Sequence, residues 1–169
     1  MEEKFPPSMD EALRAAVGRV MGRIPAGLFV MTAAHDGRMR AVVIRFVQRV
    51  SVEPPLVLVA LPKGQGIVPL IHDSHAFAVS QIADDDRLVL RKLAASDGVD
   101  ENALHGVEMT RRATGSPIPV RCQCFLDCEL IRHADVDGDH DLYVGRILDA
   151  DVLNKGKPPV HLRKDGFAY

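Results

Sequence analysis

Residues 62–66 form the segment of this sequence with the clearest chemical potential. Lys63 is followed by Gly64, Gln65 and Gly66, and the loop precedes a stretch with helical spacing. A lysine ammonium together with the free N–H groups of such a loop could bind a phosphate group. A solvated turn before a helix has the same composition, so both interpretations stay open at this point.

Two apolar segments precede this loop and are separated by a proline pair. The first covers residues 41–47, the second covers residues 56–61, and Pro54-Pro55 lies between them. Residues of these types favour β-strands, whereas neither proline can donate a hydrogen bond to a neighbouring strand. Two strands hinged at the prolines and closed by the Lys63 loop could enclose a flat cofactor.

The three cysteines lie within one short segment. Cys122, Cys124 and Cys128 are odd in number, so a framework of disulfides is not expected. Their even spacing predicts that they share one face of a strand with Leu126 and Leu130. Metal binding is an alternative, but no fourth ligand is evident and side chains on one strand diverge from a tetrahedral arrangement. We therefore interpret the cysteines as small buried apolar residues.

Length and composition predict a single globular domain. The chain has 169 residues, of which 47% are hydrophobic, and its net charge is -2. This is enough apolar material for one core, and the charge gives no general attraction to nucleic acid or to an anionic membrane. No apolar segment approaches the roughly 20 residues that span a bilayer, and the acidic first residues do not resemble a signal peptide. We expect one domain over residues 1–169, located in the cytoplasm.

The remaining pattern predicts strands with short connections and a few helices. A capping box at residues 8–11 predicts a helix that runs to residue 24, and shorter helices are expected at residues 67–71 and 84–93. Asp36-Gly37 predicts a tight turn between the first two strands. The expected strands are residues 28–34, 39–47, 56–61, 76–82, 120–133, 142–152 and 158–162. The fold class is therefore mainly β, a small closed or partly closed antiparallel barrel with peripheral helices.

Several fragments in a fixed order resemble the flavin reductase family, whose fold is the FMN-binding split β-barrel, an antiparallel, Greek-key-like barrel. In one of them, Ser51 precedes Glu53 and the two prolines. The matching fragments are residues 12–33, 50–56, Lys63, 70–80, 115–117, 126–129 and 138–145. Together they cover nearly the whole chain.

The resemblance implies an NAD(P)H-dependent flavin reductase that binds FMN, or alternatively FAD, at a homodimer interface. Hydride would pass directly from NADH or NADPH to the flavin, so the protein would mainly orient both molecules and exclude water. We therefore expect no catalytic side chain and no metal. The resemblance also implies a partner, either a monooxygenase or another electron acceptor.

The resemblance places the flavin against three parts of the chain and the nicotinamide near His140. Gln48, Val50 and Ser51 would face the polar edge of the flavin ring, and the Lys63 loop would bind phosphate. The implied cofactor-binding residues are Val43, Ile44, Arg45, Gln48, Val50, Ser51, Lys63, Gly64, Gln65, Gly66 and Ser80. His140 could instead brace its acidic loop.

Some positions depart from the family pattern. Arg45 stands where serine is common, the loop after Lys63 lacks hydroxyl groups, and Ser80 replaces a common asparagine. Arg45 could bind phosphate through its guanidinium, lie on the solvent face, or obstruct the pocket. These departures support an alternative function, a non-catalytic split barrel that holds flavin as an electron carrier, or haem.

Overall fold

The computed structural model describes residues 9–83, 86 and 106–167. The helix predicted over residues 84–93 lies outside this range apart from Asp86. The helices are α1 (Glu11–Met21) and α2 (Val68–Ser74). The strands are β1 (Phe29–His35), β2 (Arg38–Ile44), β3 (Phe46–Ser51), β4 (Leu56–Pro62), β5 (Ala76–Gln81), β6 (Met109–Arg111), β7 (Pro117–Pro119), β8 (Cys124–Asp135) and β9 (His140–Val152).

Seven strands form one antiparallel sheet in the order β2-β1-β5-β8-β9-β4-β3, and β6 pairs with β7 separately. The edge strand β2 also approaches β4, so the sheet curls towards closure. The turn between β1 and β2 is the predicted one, because Asp36 and Gly37 both have positive φ, 47° and 76°. The predicted class, a mainly β antiparallel split barrel, is confirmed.

The segment predicted as one strand over residues 39–47 is two strands. β2 ends at Ile44 and β3 begins at Phe46, with Arg45 between them. The two strands lie at opposite edges of the seven-stranded sheet, β3 pairing with β4 and β2 with β1. Arg45 is thus the point at which the chain passes from one sheet edge to the other.

The chain divides into two compact units, and the smaller one contains Met1–Ala26 and Val160–Tyr169. Its helix α1 is capped by Asp10, whose carboxylate accepts a hydrogen bond from the N–H of Leu13 at 2.7 Å. The C-terminal segment bonds to the end of this helix, because the N–H of Gly166 donates to the carbonyl of Gly18 at 2.8 Å. A Cβ atom on Gly18 would meet the Asp165 carboxylate, so a larger residue there would have to displace that side chain.

The helix predicted after the capping box is present as α1, but it ends at Met21 rather than at residue 24. Its apolar residues Leu13 and Val20 are 51% and 65% exposed. One expectation for the strands is wrong. The final strand expected over residues 158–162 is reduced to a single bridge between Ala26 and His161. Pro158-Pro159 lacks the N–H donors that a strand ladder needs.

The larger unit, Gly27–Pro159, has an apolar core on each face of its sheet. The first core lies inside the curled sheet and under α2, and includes Val59, Phe77 and Tyr143. The second core lies on the opposite face, where Val30 and Phe125 pack with Ile118 of β7. Because side chains alternate along a strand, neighbouring residues of β1, β5 and β8 contribute to different cores.

The cysteines divide between these two cores. Cys122 precedes β8 and lies in the second core, whereas Cys128 lies in the first. The prediction that all three share one strand face is therefore wrong, because Cys122 is in the turn before the strand begins. Cys124 is half-buried, and all three are free thiols. Burial raises the pKa of Cys122 to about 11 and that of Cys128 to about 12, so both stay protonated at neutral pH.

Asp127 anchors the β6–β7 hairpin to the main sheet. Its side chain is fully buried on β8. One carboxylate oxygen accepts a hydrogen bond from the N–H of Thr114 at 2.8 Å, and the other accepts one from the Thr114 hydroxyl. The Thr32 hydroxyl of β1 also donates to the carbonyl of Pro117, so two sets of polar contacts fix the turn end of the hairpin.

We predict that Asp127→Ala lowers the free energy of unfolding by about 2–4 kcal/mol, because it removes the buried carboxylate that accepts from two half-buried donors of Thr114. Asp127→Asn, which keeps an acceptor oxygen, should lose less. Urea denaturation followed by circular dichroism measures both changes. Asp73→Ala, at an exposed position of α2, is the control and should shift stability by less than about 0.5 kcal/mol. Equal effects of Asp127→Ala and the control would contradict the anchoring role.

Candidate functional site

One end of the β3–β4–β9 ladder brings together two of the residues predicted to bind ligands, Lys63 and His140. The strand register places Phe46 of β3 opposite Ala60 of β4, and Pro62 of β4 opposite His140 of β9. The rings of Phe46 and His140 lie 5.4 Å apart between centroids. The Lys63 loop leaves from the same end, and the N–H of Lys63 donates to the carbonyl of Asp139 at 3.0 Å.

The outer face of these three strands is partly exposed and mostly apolar. Phe46 is 44% accessible, and the positions that share its face alternate with residues of the first core. The positions on this face are Phe46, Gln48, Leu58, Ala60, Pro62, His140, Leu142 and Val144. In the larger unit alone, this face offers a flat apolar surface with polar groups at its margins.

A shallow groove extends this surface to the far end of β3. It has a volume of about 240 Å³ and is lined by residues 48–52. Val50 is 48% exposed and Ser51 is half-buried. The predicted residues Gln48, Val50 and Ser51 therefore lie together, next to the turn that contains the proline pair.

Three of the residues predicted to bind the cofactor lie away from this outer face. The Ile44 side chain points into the first core and is 2% exposed, so only its backbone could contact a cofactor. Val43 packs against the second core. Ser80 is fully buried on β5, where its hydroxyl lies against the Cys122 thiol. Both faces of the sheet are covered at these positions, which the strand pattern alone did not indicate.

Lys63 is held by carboxylates. Its Nζ lies 2.7 Å from Oδ1 of Asp135 and 3.8 Å from Oδ1 of Asp141. The hydrogen bond to Asp135 raises the pKa of Lys63 and lowers the pKa of Asp135. The N–H of Asp137 also donates to Asp135 at 2.8 Å, which fixes that carboxylate in the β8–β9 turn. The cation predicted to bind phosphate is therefore already paired.

His140 is braced by its neighbour. Its Nδ1 lies 2.7 Å from a carboxylate oxygen of Asp139, and this hydrogen bond lowers the pKa of Asp139. Its side chain is only 15% exposed. This geometry fits the bracing interpretation, and it also fixes the ring beside Phe46. A role of His140 towards nicotinamide stays a prediction.

Sequence reasoning missed an aromatic cluster behind the Lys63 pair. The His133 ring stacks on Tyr143 with centroids 4.7 Å apart, and His72 of α2 meets His133 edge-on at 4.9 Å. The Nε2 atom of His133 lies 3.3 Å from Oδ2 of Asp141. The β8–β9 register brings these residues together, because it pairs His133 with Tyr143 and Asp135 with Asp141. The spacing of the histidines in the sequence does not indicate this register.

The Tyr143 hydroxyl is buried and has no hydrogen-bond partner among the described residues. Burial, and secondarily the Asp141 charge, raise the pKa of Tyr143 to about 12. Across the described ranges, no group of three His, Cys, Asp or Glu side chains is arranged to hold a metal ion. Within the same ranges, neither helix is long and apolar enough to cross a membrane.

The fold and the site together define a class: an antiparallel split barrel with a flat, partly exposed face beside a Lys-, His- and Asp-rich end. The sequence pattern of the Flavin reductase like domain matches residues 21–168. The chain belongs to that family. The predicted family is confirmed.

Individual proteins with similar sequences are consistent with membership of this family. The flavin reductase of Pseudomonas putida is 28% identical over 134 residues, which is 79% of this chain and 76% of that protein. Diflavin flavoprotein A 1 of Synechocystis is 28% identical over 166 residues. That match covers 96% of this chain but only 28% of the relative, so the chain spans about a quarter of the length of the diflavin flavoproteins.

A solved structure shows the same fold. The flavin reductase component of a bacterial two-component tryptophan halogenase superimposes with a TM-score of 0.75 and 26% identity. The superposition covers 91% of this chain and 94% of that protein. The likeness therefore extends over almost the whole of both chains.

We predict that Tyr143→Phe is neutral or stabilising by up to about 1 kcal/mol at pH 7, because it removes a buried hydroxyl without a partner. The folded protein favours the neutral phenol, since its pKa of about 12 exceeds the ordinary 10.0. The stability that this difference contributes is present below pH 10 and is lost as the pH rises towards 12.

The advantage of Tyr143→Phe over the wild type should therefore grow above pH 10 and stay constant between pH 7 and 9. Urea denaturation at each pH measures it. Substantial destabilisation by Tyr143→Phe at pH 7 would show that the hydroxyl makes a stabilising contact.

Proposed function

We propose that the chain is an NAD(P)H-dependent flavin reductase that binds FMN at a homodimer interface, with FAD as the alternative flavin. In this proposal, residues 1–169 act as one flavin reductase-like domain. The observation that carries the proposal is the shared, partly exposed outer face of Phe46, Gln48 and His140 in a chain of this family.

The described residues fit the ring of a flavin better than its phosphate. A flavin ring is flat, with one apolar end and one polar edge. The apolar outer face beside Phe46 and the groove over residues 48–52 supply surfaces of both kinds. The predicted phosphate cradle fits less well, because Lys63 is paired with Asp135.

In this proposal each part of the face has a distinct task. Phe46, Leu58 and Ala60 would exclude water from one side of the ring, and Gln48 and Ser51 would donate hydrogen bonds to its polar edge. His140, fixed by Asp139, would position the nicotinamide. A bound flavin accepts a hydride from NADH or NADPH, so the protein contributes orientation and a dry environment rather than an acid or base.

The exposure of the same face supports the proposed homodimer. Apolar patches of this kind on a small protein commonly mark an interface, and two-fold dimers are the commonest assemblies. A second copy would bury Phe46 and the half-exposed Leu142 and Val144. It would also complete the wall of a flavin cleft that one chain leaves open.

The proposed partner is inferred from a similar protein. That protein is the flavin reductase component of a two-component tryptophan halogenase. We propose that this chain likewise supplies reduced flavin to a separate monooxygenase-type component or to another electron acceptor.

We predict that the purified protein binds FMN or FAD and that the bound flavin bleaches when NADH or NADPH is added without oxygen. Absorption spectra before and after each addition measure this. The control is the same flavin and nucleotide without protein, which should bleach far more slowly. A protein that binds no flavin would contradict the proposal. Bound flavin that neither nucleotide reduces, or a haem spectrum, would indicate the non-catalytic alternative.

We predict that the wild type is a dimer and that Phe46→Asp shifts it towards an 18.5 kDa monomer, because it places a charge on the apolar face. Light scattering after size exclusion measures the mass. Val152→Asp, at a residue 71% exposed near the other end of β9, is the matched control and should remain dimeric. A monomeric wild type at micromolar concentration would contradict an interfacial flavin site.

A further inference from the structure

The ion pairs of Lys63 are part of the architecture of the site. Lys63 lies between Asp135 at the end of β8 and Asp141 at the start of β9, at 2.7 Å and 3.8 Å. The Asp141 side chain is only 18% exposed, and its second oxygen faces His133 at 3.3 Å. Lys63 therefore has two acidic partners, one of which is largely withdrawn from solvent.

Backbone contacts hold these partners in place. Lys63 donates its own N–H to the carbonyl of Asp139, and the N–H of Asp137 donates to the Asp135 carboxylate. The β4–β9 register pairs Pro62 with His140, which fixes the Lys63 loop beside the β8–β9 turn. The backbone of β4, of β9 and of the β8–β9 turn thus positions the residues of the ion pair.

This arrangement weakens the case for Lys63 as a phosphate ligand. A phosphate that approaches the Lys63 ammonium also approaches Asp135 and Asp141, and Asp137 contributes a further negative charge to the Lys63 environment. Attraction by one cation is offset by repulsion from several carboxylates at similar distance. The loop offers no hydroxyl group as a substitute donor, since residues 64–66 are Gly-Gln-Gly.

We propose that Asp135 and Asp141 hold Lys63 in an internal ion pair, so that the pair as a whole does not distinguish phosphorylated from unphosphorylated flavins. Asp135 is the residue that determines this lack of discrimination, because it makes the shorter contact and its side chain is 60% exposed beside the loop. The inference rests on the proposed function, since it concerns the same flavin site. Its ligand class is flavins with and without a phosphate ester.

The test is a double-mutant cycle read by binding rather than by activity. Dissociation constants of riboflavin and FMN are measured by quenching of flavin fluorescence for the wild type, Lys63→Met, Asp135→Asn and the double variant. The quantity compared is the preference for FMN, the ratio of the riboflavin to the FMN dissociation constant. Asp135→Asn keeps the oxygen that accepts from the N–H of Asp137, which preserves the turn.

We expect Lys63→Met to lower the preference for FMN about fivefold, because it leaves the Asp135 and Asp141 carboxylates uncompensated. Asp135→Asn should raise it about fivefold, as expected from removal of one partly screened charge near a phosphate. The double variant, which removes the ion pair as a unit, should keep the wild-type preference within about twofold. Asp151→Asn, an exposed carboxylate near the other end of β9, is the charge-matched control and should leave the preference unchanged.

Two results would overturn the inference. One is a loss of FMN preference in the double variant, which would mean that in the wild type Lys63 attracts phosphate more strongly than Asp135 repels it. The other is an unchanged preference in Asp135→Asn. Failure of the proposed function has a different signature, because the wild type would then bind neither riboflavin nor FMN.

Discussion

The hydrogen-bond ladder between β4 and β9 is the constraint on which the candidate site depends. Its register fixes Pro62 opposite His140 and Leu58 opposite Val144. Through that register it also sets the distance between the Lys63 loop and the β8–β9 turn. The same alternation that directs Val59 and Tyr143 into the first core leaves the residues between them on the outer face. The core residues and the exposed site thus lie on opposite faces of the same strands.

Electrostatics at the Lys63 end follow from this geometry. A short turn between two long antiparallel strands returns Asp141 next to Asp135, and β4 delivers Lys63 between them. One cation among several carboxylates is satisfied internally, although the pair remains accessible to water and its net stabilisation is small. The contact therefore affects the charge that this end of the barrel presents to a ligand more than it affects the stability of the fold.

The sequence predicted most strands of the main sheet and the family, because apolar segments, prolines and tight turns are local signals. It missed the short β6–β7 hairpin and the break at Arg45. It did not predict the partners of Lys63, since Asp135 and Asp141 are more than 70 positions away and only strand register brings them near. The sequence also did not show which face of the sheet each strand residue occupies. The break at Arg45 and the cover provided by β7 direct Ile44 into one core and leave Ser80 buried against another. The His72, His133 and Tyr143 cluster has the same origin, because α2, β8 and β9 meet only in three dimensions.

The position of β9 in the sheet has a consequence during synthesis on the ribosome. Among the described strands, β9 comes last in sequence, yet it lies between β8 and β4 rather than at an edge. Until it emerges, the hairpin of β3 and β4 presents an unpaired row of backbone donors and acceptors next to the apolar segment of residues 56–61. The nascent chain therefore carries an exposed strand edge from the synthesis of β4 until β9 pairs with it, about 80 residues later.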